Sequence, residues 1–143
     1  MSCTNRKYQK SAQAAYNIAS QPYVVVGTQV TILGTQTVDT GCSITTQAGG
    51  FRVNCGGLFR VSYDVTSTPT AAGTQSLQLY RDGMAIPGAV TTDTVTDAGT
   101  ITQHVEQILQ LSTCPAVAPV ITARIGGVAG TISNVNASMV KLA

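Results

Sequence analysis

Between Gly56 and Ser67 the chain runs Gly-Gly-Leu-Phe-Arg-Val-Ser-Tyr-Asp-Val-Thr-Ser, and this stretch limits the fold more than any other. Phe59, Val61, Tyr63 and Val65 fall on one side at a period of two; Arg60, Ser62, Asp64 and Thr66 fall on the other. Side chains of a strand alternate between its two faces, so this pattern predicts a strand with one buried and one wetter face. The glycine pair allows a sharp entry, and Ser67-Thr68-Pro69 closes the segment.

The rest of the composition agrees with a β fold. Only 10% of the 143 residues are charged, against 43% hydrophobic, so the helix formers Glu and Lys are scarce. Thr, Ser, Gln, Gly and Ala, which suit pleated surfaces and tight turns, fill much of the remainder. A chain with so few charges has little electrostatic means of keeping copies apart. Part of its surface is therefore expected to be covered by further copies of itself.

Several function classes are disfavoured. A net charge of +2, with no basic patch interleaved with aromatics, does not suit nucleic acid. No run approaches the roughly 18 apolar residues of a membrane-spanning helix. The start, Met1 to Lys7, is basic but leads into no apolar core, so it is not read as a secretory signal. Cys3, Cys42, Cys55 and Cys114 lack metal-knuckle or redox spacing, and His104 is the only histidine. Reduced, buried thiols are the expectation, with a Cys42–Cys55 bridge left open. No cofactor or metal is expected. A triad of His104, Asp93 or Asp97, and Cys114 is outweighed by the plain placement of His104 on a polar strand face. The aspartates, Asp39 and Asp82 among them, suit turns better than paired acid–base chemistry or a calcium loop. No enzymatic activity is expected.

Along the chain, residues 1–20 stand apart. Arg6, Lys7 and Lys10 carry three of the eight basic residues, and Ser11 to Ala19 is weakly helix-prone. This segment is read as an anchoring arm, with Arg6, Lys7, Tyr8, Lys10 and Tyr16 as candidate contacts, ahead of a domain at 21–143. From Gln21 onward, about eight to ten short strands separated by turn signals are expected. They include Tyr23–Val26, Thr28–Leu33, a hairpin of Cys42–Thr46 with Phe51–Cys55, and Gln75–Arg81. Asp82-Gly83 is the strongest hairpin-turn signal. Residues 89–99 read as an edge strand or ordered loop. Residues 100–112 fit either period, and strand is preferred to helix on context. Val117–Ile125 and Thr131–Leu142 complete the set, which implies a sandwich or barrel.

At Gly57-Leu58-Phe59-Arg60-Val61-Ser62-Tyr63-Asp64-Val65 the sequence resembles a strand of the trimeric tumour-necrosis-factor-like and complement-like jelly rolls. Leu77 to Gly83 followed by Ile86-Pro87-Gly88, and the ending Asn136 to Ala143, are similar to later strands of the bacterial and bacteriophage versions. The resemblance implies an all-β, jelly-roll β-sandwich of antiparallel strands, no catalytic residues, and a homotrimer. It implies a virion structural protein of a tailed phage, a head-fibre or capsid decoration whose arm docks on a major capsid, collar or portal-associated protein. Leu58, Tyr80, Ile108 and Val140 are the candidate trimer contacts. The alternative is a receptor- or carbohydrate-binding module of a tail or collar spike, or of a spore or cell surface. Loops 69–74, 88–99 and 126–131 would then meet a host glycan, although they lack sugar-stacking aromatics.

Overall fold

The computed structural model describes residues 10–111 and 118–143. Its strands, in chain order, begin with β1 (Ala12–Asn17), β2 (Gln21–Tyr23), β3 (Thr28–Gln29), β4 (Thr35–Thr40), β5 (Ile44–Gln47) and β6 (Gly50–Val53). The longer ones follow: β7 (Gly57–Pro69), β8 (Gly73–Arg81), β9 (Met84–Val95), β10 (Ile101–Leu111), β11 (Val120–Gly126) and β12 (Gly130–Lys141). They form two antiparallel sheets. The first has the order β10-β7-β12-β1-β4, with β2 also on β12; the second has the order β5-β6-β11-β8-β9, with β3 on β11. Most neighbours in a sheet are distant in sequence, the connectivity of a jelly-roll sandwich.

The core lies between the sheets. Phe59, Val61, Tyr63 and Val65 of β7 are fully buried, as their alternation predicts. They share one core with Phe51 and Val53 of β6, Leu77 and Leu79 of β8, and Ile121 and Ile125 of β11. Burying a side chain of this size is worth about 1.5–3 kcal/mol. The Phe51 and Tyr63 rings meet edge to face, 6.1 Å apart at 72°.

The Tyr63 hydroxyl sits in this core with no hydrogen-bond partner among the described residues. An unpaired buried hydroxyl costs roughly 1–3 kcal/mol. Tyr63→Phe is therefore expected to leave stability unchanged or raise it by about 1 kcal/mol in denaturant titration. Burial also pushes the Tyr63 phenol far above its ordinary value of 10.0. Above that pH the unfolded chain releases this proton while the folded chain keeps it. Stability is thus retained below pH 10.0 and falls as pH rises beyond it. The slope from this one group is about 1.4 kcal/mol per pH unit. Tyr63→Phe should remove that part of the alkaline sensitivity.

A polar layer crosses the core near one end of the sandwich. The Tyr23 hydroxyl donates to Gln75 Oε1 at 2.6 Å, and Gln75 Nε2 donates to Ser67 Oγ and Gln103 Oε1, both at 2.9 Å. Gln103 Nε2 in turn donates to the Gln75 carbonyl and to Asp93, both at 3.0 Å. Gly130 makes room for this layer: a Cβ there would lie 2.4 Å from the Tyr23 hydroxyl and 2.6 Å from the Thr68 carbonyl.

Four sequence expectations change. Residues 12–17 are not a helix in an arm but strand β1, paired with β12 on one side and β4 on the other. Their inward residues are Gln13, Ala15 and Asn17, so the strand lacks the hydrophobic alternation that would reveal it. Removal of residues 1–20 would take out an internal strand, and such a truncation is expected to lose cooperative thermal unfolding. Val24–Val26 is not a strand either: β2 ends at Tyr23, and the chain turns, with the Gly27 N–H donating to the Val24 carbonyl at 3.0 Å. Val26 stands 92% exposed. Only Thr28–Gln29 of the Thr28–Leu33 segment pairs as a strand, although Val30 and Ile32 are buried. Finally, Cys42 and Cys55 each take part in a disulfide rather than standing as reduced thiols. The reduced reading rested on redox context, which says nothing about geometry. Cys3 and Cys114 lie outside the described residues.

Other expectations match. Residues 101–111 are strand β10, and residues 84–95 are edge strand β9. Opposite Leu79, β9 bulges through Ile86–Ala89, where Gly88 takes φ 81° and the Ile86 carbonyl accepts from Gln78 Nε2 at 2.8 Å. Pro87 sits in this bulge on an edge strand, where its missing donor costs no ladder bond. Asp82 and Gly83 both take positive φ, 50° and 82°. The Asp82 carboxylate also accepts from the Val120 N–H at 2.9 Å, tying this turn to the start of β11.

Candidate assembly surface

The side of the first sheet that faces away from the core is the largest regular surface of the fold. Register fixes its rows. Ile108, Arg60, Val140, Ala12 and Thr40 lie side by side across β10, β7, β12, β1 and β4. Next come Glu106, Ser62, Ser138, Ala14 and Val38, and then His104, Asp64, Asn136, Tyr16 and Thr35. The centre of the face is small and uncharged. Five strands about 4.8 Å apart, over residue rows spanning about 27 Å, give a face on the order of 650 Å². A standard interface covers about 800 Å² per partner, so one such face is nearly enough for a stable contact.

Among the described strand residues of this face, the charged ones lie on its β7–β10 side and pair within the protomer. Arg60 Nε lies 3.5 Å from Glu106 Oε1, and His104 Nδ1 lies 2.7 Å from Asp64 Oδ1. Directly opposed and diagonal cross-strand pairs of this kind are each worth under about 1 kcal/mol. Their consequence here is that β12, β1 and β4 carry no charged side chain on this face, while Ile108 at the rim is 58% exposed.

The four candidate trimer contacts divide three to one. Leu58, Ile108 and Val140 share this face: Val140 and Ile108 flank Arg60, and Leu58 opposes Gln110. Tyr80 lies on the second sheet and points away from the core, its ring 5.8 Å below the Arg124 guanidinium. It is on the opposite side of the sandwich. Tyr16, grouped in sequence with the anchoring residues, instead belongs to this face, between Asn136 and Thr35. Lys10 is exposed just before β1, and Arg6, Lys7 and Tyr8 lie outside the described residues. Sequence reasoning missed Ala12, Ala14 and Val38 because they were not assigned to strands facing this surface.

Other candidate chemistry is dispersed. His104 pairs with Asp64 rather than with Asp93 or Asp97, and Asp93 accepts from Gln103. Cys114 is not among the described residues. Among the described residues, no three His, Cys, Asp or Glu side chains come together as metal ligands. The loops suggested for glycan contact do converge at one pole: Thr70 N–H donates to the Ala129 carbonyl at 2.9 Å, and Ala98 N–H to the Pro69 carbonyl at 2.8 Å. Residues 88–95, however, belong to β9, and the pole is shared with the exposed Val24–Val26 turn through a Gly127–Val25 bond.

Similarity to solved structures follows the same architecture. Murine APRIL at pH 5.0 superposes with a TM-score of 0.72 and 14% identity, over 94% of this chain and 100% of that one. The globular domain of zebrafish complement 1qA gives 0.63 and 11%, over 90% and 95%. In fold, this is a jelly roll of the tumour-necrosis-factor and complement type. PRD1 vertex protein P5 shares it, with a TM-score of 0.67 and 14% identity, over 93% of this chain and 73% of that one. No protein-family model matches the sequence, and no curated protein matches it.

Proposed function

We propose that this protein is a non-enzymatic structural component of a phage particle. It assembles as a homotrimer through the outer face of the first sheet and is held to the particle by the basic segment before β1. The observation that carries this reading is the uncharged β12-β1-β4 part of that face, beside which Arg60 lies against Glu106 and Asp64 against His104. The β12-β1-β4 part of this face costs little to desolvate, and the whole face approaches the size of a standard contact. The likeness in fold to PRD1 vertex protein P5 supports the virion setting. A head-fibre or decoration role on a capsid, collar or portal-associated protein is the specific form of this proposal.

The docking segment is shorter than residues 1–20, because β1 belongs to the sandwich. Its candidate contacts are Arg6, Lys7, Tyr8 and Lys10. The triple substitution Arg6→Ala, Lys7→Ala, Lys10→Ala is expected to abolish co-sedimentation with purified particles lacking the protein, while the thermal midpoint stays within about 2 °C. Undiminished particle binding by the triple variant would remove the arm from the account.

A further inference from the structure

The two long margins of the sandwich differ in kind. At the β9–β10 margin the groove between the sheets is lined mainly by Met84, Ile86, Pro87, Leu109 and Leu111, with Arg81, Asp82 and Gln110 at its rim. At the β4–β5 margin the space is a cleft of about 460 Å³ whose walls set Gln13, Gln36, Asp39, Thr45, Thr46 and Asn54 beside Gly41, Cys42 and Ile44. A sandwich gains stability by filling this space with apolar side chains. Polar side chains make up much of the lining here instead. The cleft size falls within the roughly 300–1,000 Å³ of small-ligand sites.

The cleft is organised around Gln13, which is only 2% exposed. Its Nε2 donates to Asp39 Oδ1 at 2.7 Å, and its Oε1 accepts from Thr46 Oγ1 at 2.7 Å and from Gln36 Nε2. One buried amide thus fixes side chains from β4 and β5. Across the cleft, Asn54 Nδ2 donates to Thr45 Oγ1 at 2.8 Å and to the Cys42 carbonyl at 3.3 Å. The amide nitrogens of Gln13, Gln36 and Asn54 each donate to acceptors within the protein. Their orientation leaves Asp39 Oδ2, Gln36 Oε1 and Asn54 Oδ1, all acceptors, outside these bonds.

We propose that this cleft binds an uncharged, hydroxyl-rich ligand, a neutral sugar residue. Held acceptors around a single carboxylate match a ligand that presents several O–H donors, with the Asp39 carboxylate receiving the strongest of them. The same acceptors repel an anionic sugar or a phosphate. The site is distinct from the converging loops at the Val24–Val26 pole and does not depend on the assembly reading.

Saturation-transfer NMR on the 143-residue chain tests it, with the methyl glycosides of glucose, galactose and mannose as probes and methylammonium and sialic acid as comparisons. Transfer from at least one neutral glycoside is expected, with none from sialic acid. Asp39→Asn, which keeps an acceptor for Gln13, and Asn54→Ala should each weaken binding by roughly tenfold or more, as loss of a hydrogen bond to a charged or well-placed group does. Thermal melts of both variants check that they fold. No transfer from any neutral glycoside, transfer from methylammonium alone, or equal binding by the folded variants would overturn the proposal.

Discussion

Gln75→Ala is expected to destabilise the sandwich by about 4 kcal/mol, near the upper end of single-residue effects. The side chain is fully buried and joins both sheets. It accepts from Tyr23 of β2 and donates to Ser67 of β7 and Gln103 of β10. Truncation leaves three buried polar groups short of a partner, each costing about 1–3 kcal/mol. It also opens a cavity that the surrounding strands cannot fully close. For a domain of this length the thermal midpoint should fall by roughly 13 °C. Ser76→Ala is the control: the neighbouring side chain bonds to Thr92 at the surface, at 3.2 Å, and its loss should cost under about 0.5 kcal/mol. A loss below about 1 kcal/mol in Gln75→Ala would mean that the polar layer is not held together as described.

The second large effect concerns assembly. Ile108→Glu and Val140→Glu each place a carboxylate on the outer face of the first sheet, next to Arg60. In a free protomer the new charge remains in water and folding is undisturbed. In a buried contact it must be desolvated, at a cost of several kcal/mol. The proposed trimer is therefore expected to weaken by roughly a hundredfold or more in each variant, read as a shift of the dissociation midpoint in sedimentation. Tyr80→Glu, on the opposite sheet beneath Arg124, should leave assembly unchanged. Dissociation caused by Tyr80→Glu, with Ile108→Glu intact, would place the contact on the second sheet.

What the sequence made legible follows from how each strand is built. The segment around Phe59–Val65 is buried on one face only, so its hydrophobic pattern carries the period of two. Asp82-Gly83 was readable because few residues accept positive φ at two successive positions. The strand Ala12–Asn17 was hidden because its inward positions include Gln13 and Asn17, whose burial is explained only by Asp39, Thr46 and Thr31 elsewhere in the chain. Val24–Val26 misled in the opposite sense, since an unbroken apolar run does not distinguish a buried strand from an exposed turn. The Gln75–Gln103 bond joins residues 28 apart on different sheets, and the cleft around Gln13 gathers residues of β1, β4 and β5. Such juxtapositions exist only once the topology is known. The same holds for Arg60 and Asp64: their alternation showed that they share a face, but not that Glu106 and His104 meet them there.

Sedimentation equilibrium of the 143-residue chain tests the central claim most directly. One species of three times the 14.7 kDa chain mass is expected at micromolar concentration. A single species at 14.7 kDa under those conditions would contradict it.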